Sequence, residues 1–199
     1  MNLFLWGALP YIAFTFLIVG TLVRFFYFER NWTTKSSEFL EKKQLRIANP
    51  LFHFGLLCVI GGHVVGVLVP KAWTAALGIN DHMYHEGALY MGAVAGIIFI
   101  VGFLLLMKRR FTVPAMKVNT SGLDKWLYLF LTLAIFSGMA GTLLNASGFF
   151  DYRVSIGPWF RSLLSFMPDP SLMEGVPFMF KFHMLAWMVV AIIFPFSRL

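Results

Sequence analysis

Asn49 to Pro70, NPLFHFGLLCVIGGHVVGVLVP, is the stretch that decides the fold. Leu51 to Val69 carries no formal charge. At 1.5 Å of rise per residue, a helix of that length crosses a bilayer core. Two of its residues are histidines, His53 and His63, and an ionisable side chain inside an apolar span points to function because it is costly to keep there. Ten residues along a helix amount to a rise of ~15 Å and a net rotation of ~80°. The two imidazoles therefore fall near opposite faces of the membrane and read as ligands of two separate centres. Gly55, Gly62 and Gly66 lie within about 40° of one another on a helical projection, a strip that admits a bulky ring close to backbone. Gly62-x-x-x-Gly66 reads equally as a close-packing motif between membrane helices.

Composition carries the same message outward. Hydrophobic residues make up 59% of the chain and charged ones 13%, with 23 phenylalanines. That balance excludes an ordinary soluble domain and suits one compact membrane bundle over residues 1–199. Cys58 is the sole cysteine, so no internal disulfide forms. No C-x-x-C-H occurs, so any haem is held without thioether bonds. The N-terminus, MNLFLWGALP, lacks a basic leader and its apolar run continues to Phe28, which reads as a retained span.

The expected fold is all-α, a five-transmembrane-helix bundle with spans at about 3–28, 51–69, 87–107, 126–144 and 178–196. A polar loop, Glu29–Asn49, follows the first span, and Lys71–Glu86 connects the second to the third. Asn145–Pro177 has several turn-formers and no convincing period. Basic residues set the orientation. With the N-terminus outside, twelve fall inside: Arg24, Arg30, Lys35, Lys42, Lys43, Arg46, Lys108, Arg109, Arg110, Lys117, Lys125 and Arg198. Lys71, Arg153, Arg161 and Lys181 remain outside. The expected topology is N-terminus outside, C-terminus inside. The net charge of +7 is then a topology signal and gives no reason to invoke nucleic acid.

Histidine depth can now be compared. His63 lies ~9 Å below the outer end of the second span, and His183 ~8 Å below the outer start of the fifth. Two imidazoles on different helices at one depth suit axial ligation of a haem iron from both sides. The alternative is a pair of histidines that only bridge helices by hydrogen bonds. His82, His85 and Glu86 in the outer connector fit either a substrate or metal site or a solvated interfacial loop.

LFHFGLLCVIGGHVVGVLVP, LLLMKRRF (104–111), GVPFMFKFHM (175–184) and FPFSRL (194–199) resemble the gamma subunit of respiratory nitrate reductase. That family is a di-haem cytochrome b membrane anchor, and the likeness extends over essentially the whole chain. FDYRVSIGPWFRSLLSF and PSLMEGVPF in the outer loop resemble the Gram-positive forms. The resemblance implies that His63 and His183 ligate the outer haem b. It implies His53 as a ligand of the inner one, whose partner in the family lies just beyond the FPFSRL ending. Residues 184–199 contain no histidine, so the inner site is expected to be incomplete in this chain.

Taken together, the expected role is that of an electron-transfer subunit of a quinol–nitrate oxidoreductase in the bacterial cell (inner) membrane. By resemblance, menaquinol or ubiquinol is oxidised near the outer haem, close to His82, His85 and Glu86. Electrons then pass inward to an iron–sulfur beta subunit and a molybdenum alpha subunit, where nitrate is reduced. Two rival functions stand beside it. One is a related cytochrome b feeding a heterodisulfide- or sulfite-reductase-like module. The other is a non-redox membrane anchor or transporter.

Overall fold

The computed structural model of the protein describes residues 2–27 and 41–197. Phe28, Arg30, Lys35, Arg198 and Leu199, which enter the first span, the charge count and the FPFSRL motif, lie outside the described residues. Among those described, five helices are long and apolar enough to cross a membrane: α1 (Phe4–Tyr27), α2 (Leu45–Leu68), α4 (Asp81–Thr112), α6 (Gly122–Leu144) and α8 (Phe178–Phe196). Shorter α-helices among the described residues are α3 (Lys71–Ala76), α5 (Pro114–Val118) and α7 (Ile156–Leu164). The protein is a multi-pass membrane protein.

Several helices outrun their charge-free windows, for local reasons. α2 begins at Leu45, before Pro50, which sits inside it. Proline this near a helix start removes an amide that would bond back to residue i−4, a loss the first turns tolerate better than the middle. α4 begins at Asp81 because Asn80 caps it, its side-chain oxygen accepting from the Met83 amide at 2.9 Å. His82, His85 and Glu86 therefore stand on the first turns of a helix, where the sequence suggested a connector. α6 opens on a capping box, with Ser121 and Asp124 exchanging side-chain and backbone bonds.

The stretch Asn145–Pro177 also holds more order than its sequence suggested. Ile156, Trp159 and Leu163 recur at helical spacing along α7 and are all buried. They join Trp6 and Ala13 of α1, Met173 and Val176 of the following loop, and Met188 of α8 in one apolar cluster. Trp159 packs edge-on to Trp6 at 5.9 Å and donates its indole N–H to the Trp6 carbonyl at 2.8 Å. A second cluster, Phe99, Phe103 and Ile135 with Phe52, Leu56 and Val59 around them, seals α2, α4 and α6.

Packing runs α2 on α4, α4 on α6, α6 on α8 and α8 on α1. α2 and α4 touch backbone to backbone. A Cβ at Gly55 would stand 2.5 Å from the Phe99 nitrogen, and one at Gly102 would stand 2.6 Å from the Phe52 Cα. Gly55 thus belongs to a helix seam, the close-packing alternative for that position. α2 and α8 are not among the closely packed pairs.

The two ends of the bundle differ in charge. At the basic end Arg109 is buried, its Nε donating to Glu41 Oε2 at 2.9 Å and its Nη2 to the Glu41 carbonyl at 2.7 Å. The Gln44 amide and the Arg109 guanidinium hold the Glu41 carboxyl below its ordinary range. Arg24 of α1 donates to the Pro195 and Ser197 carbonyls, fastening the last turn of α8. At the opposite, loop-rich end, Lys71 bridges Asp81 at 2.8 Å and Asp151 at 3.0 Å. Those two carboxylates raise the Lys71 ammonium above the ordinary lysine value. Arg153 lies 3.7 Å from the centre of the Tyr84 ring.

Candidate functional site

His63 is the last α-helical residue of α2. The next five, Val64–Leu68, wind as a π turn, a feature frequent at functional sites. The His63 ring neighbours His183 of α8, with ring centres 6.0 Å apart and planes 26° from parallel. The residues singled out by depth are therefore neighbours in space.

Each ring is held by one nitrogen. His63 Nδ1 lies 2.8 Å from the Val59 carbonyl, and His183 Nδ1 lies 2.8 Å from the Ala134 carbonyl of α6. A carbonyl only accepts, so in both residues Nδ1 carries the proton and Nε2 keeps a lone pair. His53 follows the same pattern, with Nδ1 2.9 Å from the Asn49 carbonyl. Fixing one imidazole nitrogen on a backbone carbonyl while the other binds metal is the usual support of a histidine ligand.

The spacing fits one metal ion between the pair. Two metal–nitrogen bonds of ~2 Å, with just over 1 Å from each nitrogen to its ring centre, separate the centres by ~6 Å. Among the described residues no group of three or more His, Cys, Asp or Glu is placed to hold a metal. Two opposed imidazoles leave the other positions to a ligand that brings its own donors, such as a porphyrin. Gly61 and Gly62, just before His63, have nothing within 4 Å of an added Cβ. The donor set fits a haem held by His63 and His183.

α6 contributes features that nothing in the sequence signalled. A Cβ at Gly138 would stand 2.7 Å from His183 Cε1 and 3.0 Å from its Nδ1. The Nδ1–Cε1 side of the His183 ring thus takes up the room of a missing side chain. Ser137 Oγ bonds the Ala134 carbonyl at 3.1 Å and approaches His183 Nδ1 at 3.4 Å. A backbone carbonyl leaves no trace in residue identity, and S-G-M-A-G reads as ordinary helix packing.

The other candidates separate. His85 lies between two cavities at the loop-rich end and lines both. One, of about 100 Å³, is also walled by Asp81, Tyr84, Asp151, Tyr152 and Arg153. The other, of about 70 Å³, is walled by Leu89, Thr142, Asn145, Tyr152 and Phe180. His82 and Glu86 line neither. Both volumes fall below the ~300 Å³ at which organic-ligand sites begin, so they admit water and the edge of a ring. Arg153, 4% exposed, brings to the larger one a buried Nε that has no hydrogen-bond partner. His85 bonds in the opposite sense from the other three histidines. Its Nε2 lies 3.1 Å from the Ala146 carbonyl, which leaves Nδ1 as the free acceptor.

Known proteins give an independent line. The family model for the nitrate reductase gamma subunit matches residues 2–199. The nitrate reductase gamma chain of Bacillus subtilis (strain 168) is 47% identical over 196 residues, covering 98% of this chain and 88% of that protein. The nitrate reductase-like protein NarX of Mycobacterium tuberculosis is 38% identical over 98% of this chain, which spans only 30% of NarX. The respiratory nitrate reductase 1 gamma chain of Escherichia coli (strain K12) is 29% identical over 100% of this chain and 89% of its own length.

Proposed function

The chain belongs to the nitrate reductase gamma subunit family, and from that premise we propose that it is the quinol-oxidising, electron-transferring membrane subunit of a nitrate reductase. The observation that carries this reading is the opposed His63–His183 pair, 6.0 Å apart, with both Nε2 lone pairs left free by carbonyl-bound Nδ1 protons. A haem b held there supplies a one-electron iron couple inside the bilayer. His53, whose Nδ1 is tied to Asn49 in the same way, offers one ligand to a second haem nearer the basic end.

His63 and His183 hold and orient; His85 moves the proton. Its Nδ1 accepts from a quinol hydroxyl brought to the cavity edge, directly or through one water, over ~3 Å. Asp81 and Asp151 wall the same cavity and lead from it toward water. The quinol is menaquinol or ubiquinol, entering from the surrounding lipid. The loop-rich end faces outward and the basic end faces the cytoplasm of the bacterial cell, in keeping with the distribution of Lys and Arg. An iron–sulfur beta subunit and a molybdenum alpha subunit dock at the basic end and reduce nitrate. An electron crossing from the His63 depth to the His53 depth moves against the membrane field at ~2.3 kcal/mol per 100 mV for a full crossing.

A reduced-minus-oxidised spectrum of the membrane complex tests the reading. A b-type band that quinol reduces supports it; no such band removes it. Gly138→Ala extends the test to one atom. The added methyl displaces the His183 ring, so the low-spin signal of that haem should weaken while the polypeptide still assembles. An unchanged signal would mean that the ring does not rest on Gly138.

The cavity gives a separate expectation. His85→Gln should slow quinol oxidation by about 10²-fold, the lower end of what a positioned proton acceptor contributes, and leave the haem spectrum intact. His82→Gln should change little, since His82 lines neither cavity. Equal effects at the two positions in quinol-oxidation kinetics would remove His85 from this role.

A further inference from the structure

At the loop-rich end Lys71 and Arg153 are drawn to Asp81 and Asp151. Arg161 is not. Among the described residues its guanidinium meets no carboxylate, and its Nη1 donates instead to the Val67 carbonyl at 2.7 Å. Val67 is among the last residues of α2, whose carbonyls have no amide ahead of them. Gly157 makes the room: a Cβ there would stand 3.1 Å from Arg161 Nη1 and 3.3 Å from the Val67 oxygen.

The route of this contact is informative. α7 is rooted beside α1 and α8 through Trp159, Ile156 and Leu163. From there α7 also packs directly against the last turn of α2, and Arg161 joins the two at Val67. Val67 follows His63 by four residues, about one helical turn, ~5–6 Å nearer the loop-rich end. A cation therefore stands just above the histidine pair, with most of its five N–H donors uncommitted.

We propose that Arg161 holds a carboxylate of the group bound between His63 and His183, namely a propionate of the outer haem. The inference rests on the haem reading above. A haem b carries two carboxylates that must find cations or water, and a guanidinium in a partly buried site is the side chain best shaped to take one. The simpler account is that Arg161 only caps the C-terminal end of α2, where a cation is favourable in any case. The two accounts differ in what the charge does to the haem.

Arg161→Gln separates them in the assembled complex, because glutamine keeps an N–H donor for Val67 and loses the charge. A nearby cation favours the electron-richer, reduced haem. Removing it should therefore raise the ratio of oxidised to reduced haem about ten-fold at fixed ambient potential, which is ~59 mV for a one-electron couple. Haem content and the low-spin signal should stay the same, and Arg161→Lys should restore most of the shift. An unshifted potential in an intact Arg161→Gln complex would leave Arg161 as a cap alone. Should that variant not assemble, infrared redox-difference spectra of the wild-type and Arg161→Lys complexes decide. Propionate carboxylate bands displaced by lysine support the pairing, and bands left in place overturn it. Absence of any b-type haem in the wild-type complex would instead sink the underlying functional reading before any variant is compared.

Discussion

His63→Ala and His183→Ala should each remove the same haem and depress quinol-dependent nitrate reduction by more than about 100-fold. Loss of a hydrogen-bonded support of a metal ligand already costs 10–100-fold, and here the ligand itself is gone. The rings stand 6.0 Å apart, and neither has a second imidazole to fall back on. The His53 site lies ~15 Å away along α2 and should keep whatever haem it binds. Haem quantitation per polypeptide, with a reduced-minus-oxidised spectrum, reads the result. If the two substitutions eliminate different haems, the pairing is wrong.

The second large effect concerns glycines that hold no ligand. Gly102→Ala places a methyl group 2.6 Å from the Phe52 Cα and 2.8 Å from the Leu51 carbonyl carbon. Those are backbone atoms, which cannot swing aside as a side chain can. α2 and α4 must separate, opening the seam formed by Phe99, Phe103 and Ile135. Overpacking of this kind costs about 1–3 kcal/mol, and small residues at helix contacts supply much of the packing that joins helices in lipid. Gly61→Ala, with nothing within 4 Å of the new methyl, is the matched control and should be close to neutral. The midpoint of thermal inactivation in detergent compares the two. Equal tolerance at both positions would mean that the helices are not in backbone contact.

The five apolar helices were legible because a span in lipid has to be long, apolar and nearly free of charge, and those properties survive in a single sequence. Their ends were less so. The start of α2 hides behind Pro50, and the start of α4 depends on one Asn80 cap seven residues before the apolar run begins. α7 was missed because nine residues offer little more than two turns of period, even though Ile156, Trp159 and Leu163 are all in place. The histidine pair was legible from depth alone, since membrane thickness gives the sequence a ruler that soluble proteins lack. The supports of the pair were not. Ala134 acts through its carbonyl and Gly138 through an absent side chain, and neither leaves a chemical signature in the letter. Gly55, Gly62 and Gly66 were expected to share a face, yet they divide among three surroundings. Gly55 meets Phe99, Gly66 lies under Tyr152 and Tyr84, and Gly62 is open.

The sparse packing of α2 on α8 has a thermodynamic consequence. α2 is welded to α4, and α8 to α1, while α6 touches both halves. Near the loop-rich end α2 meets α8 through the facing imidazoles and meets α7 through packing and the Arg161–Val67 bond. A guest that binds His63 and His183 together closes the ring of helices, and anything that binds only the folded form stabilises it by mass action. On the reading proposed above that guest is a haem, so folding of the bundle and supply of haem would be one equilibrium, and a cell short of haem would lose the polypeptide as well as the activity.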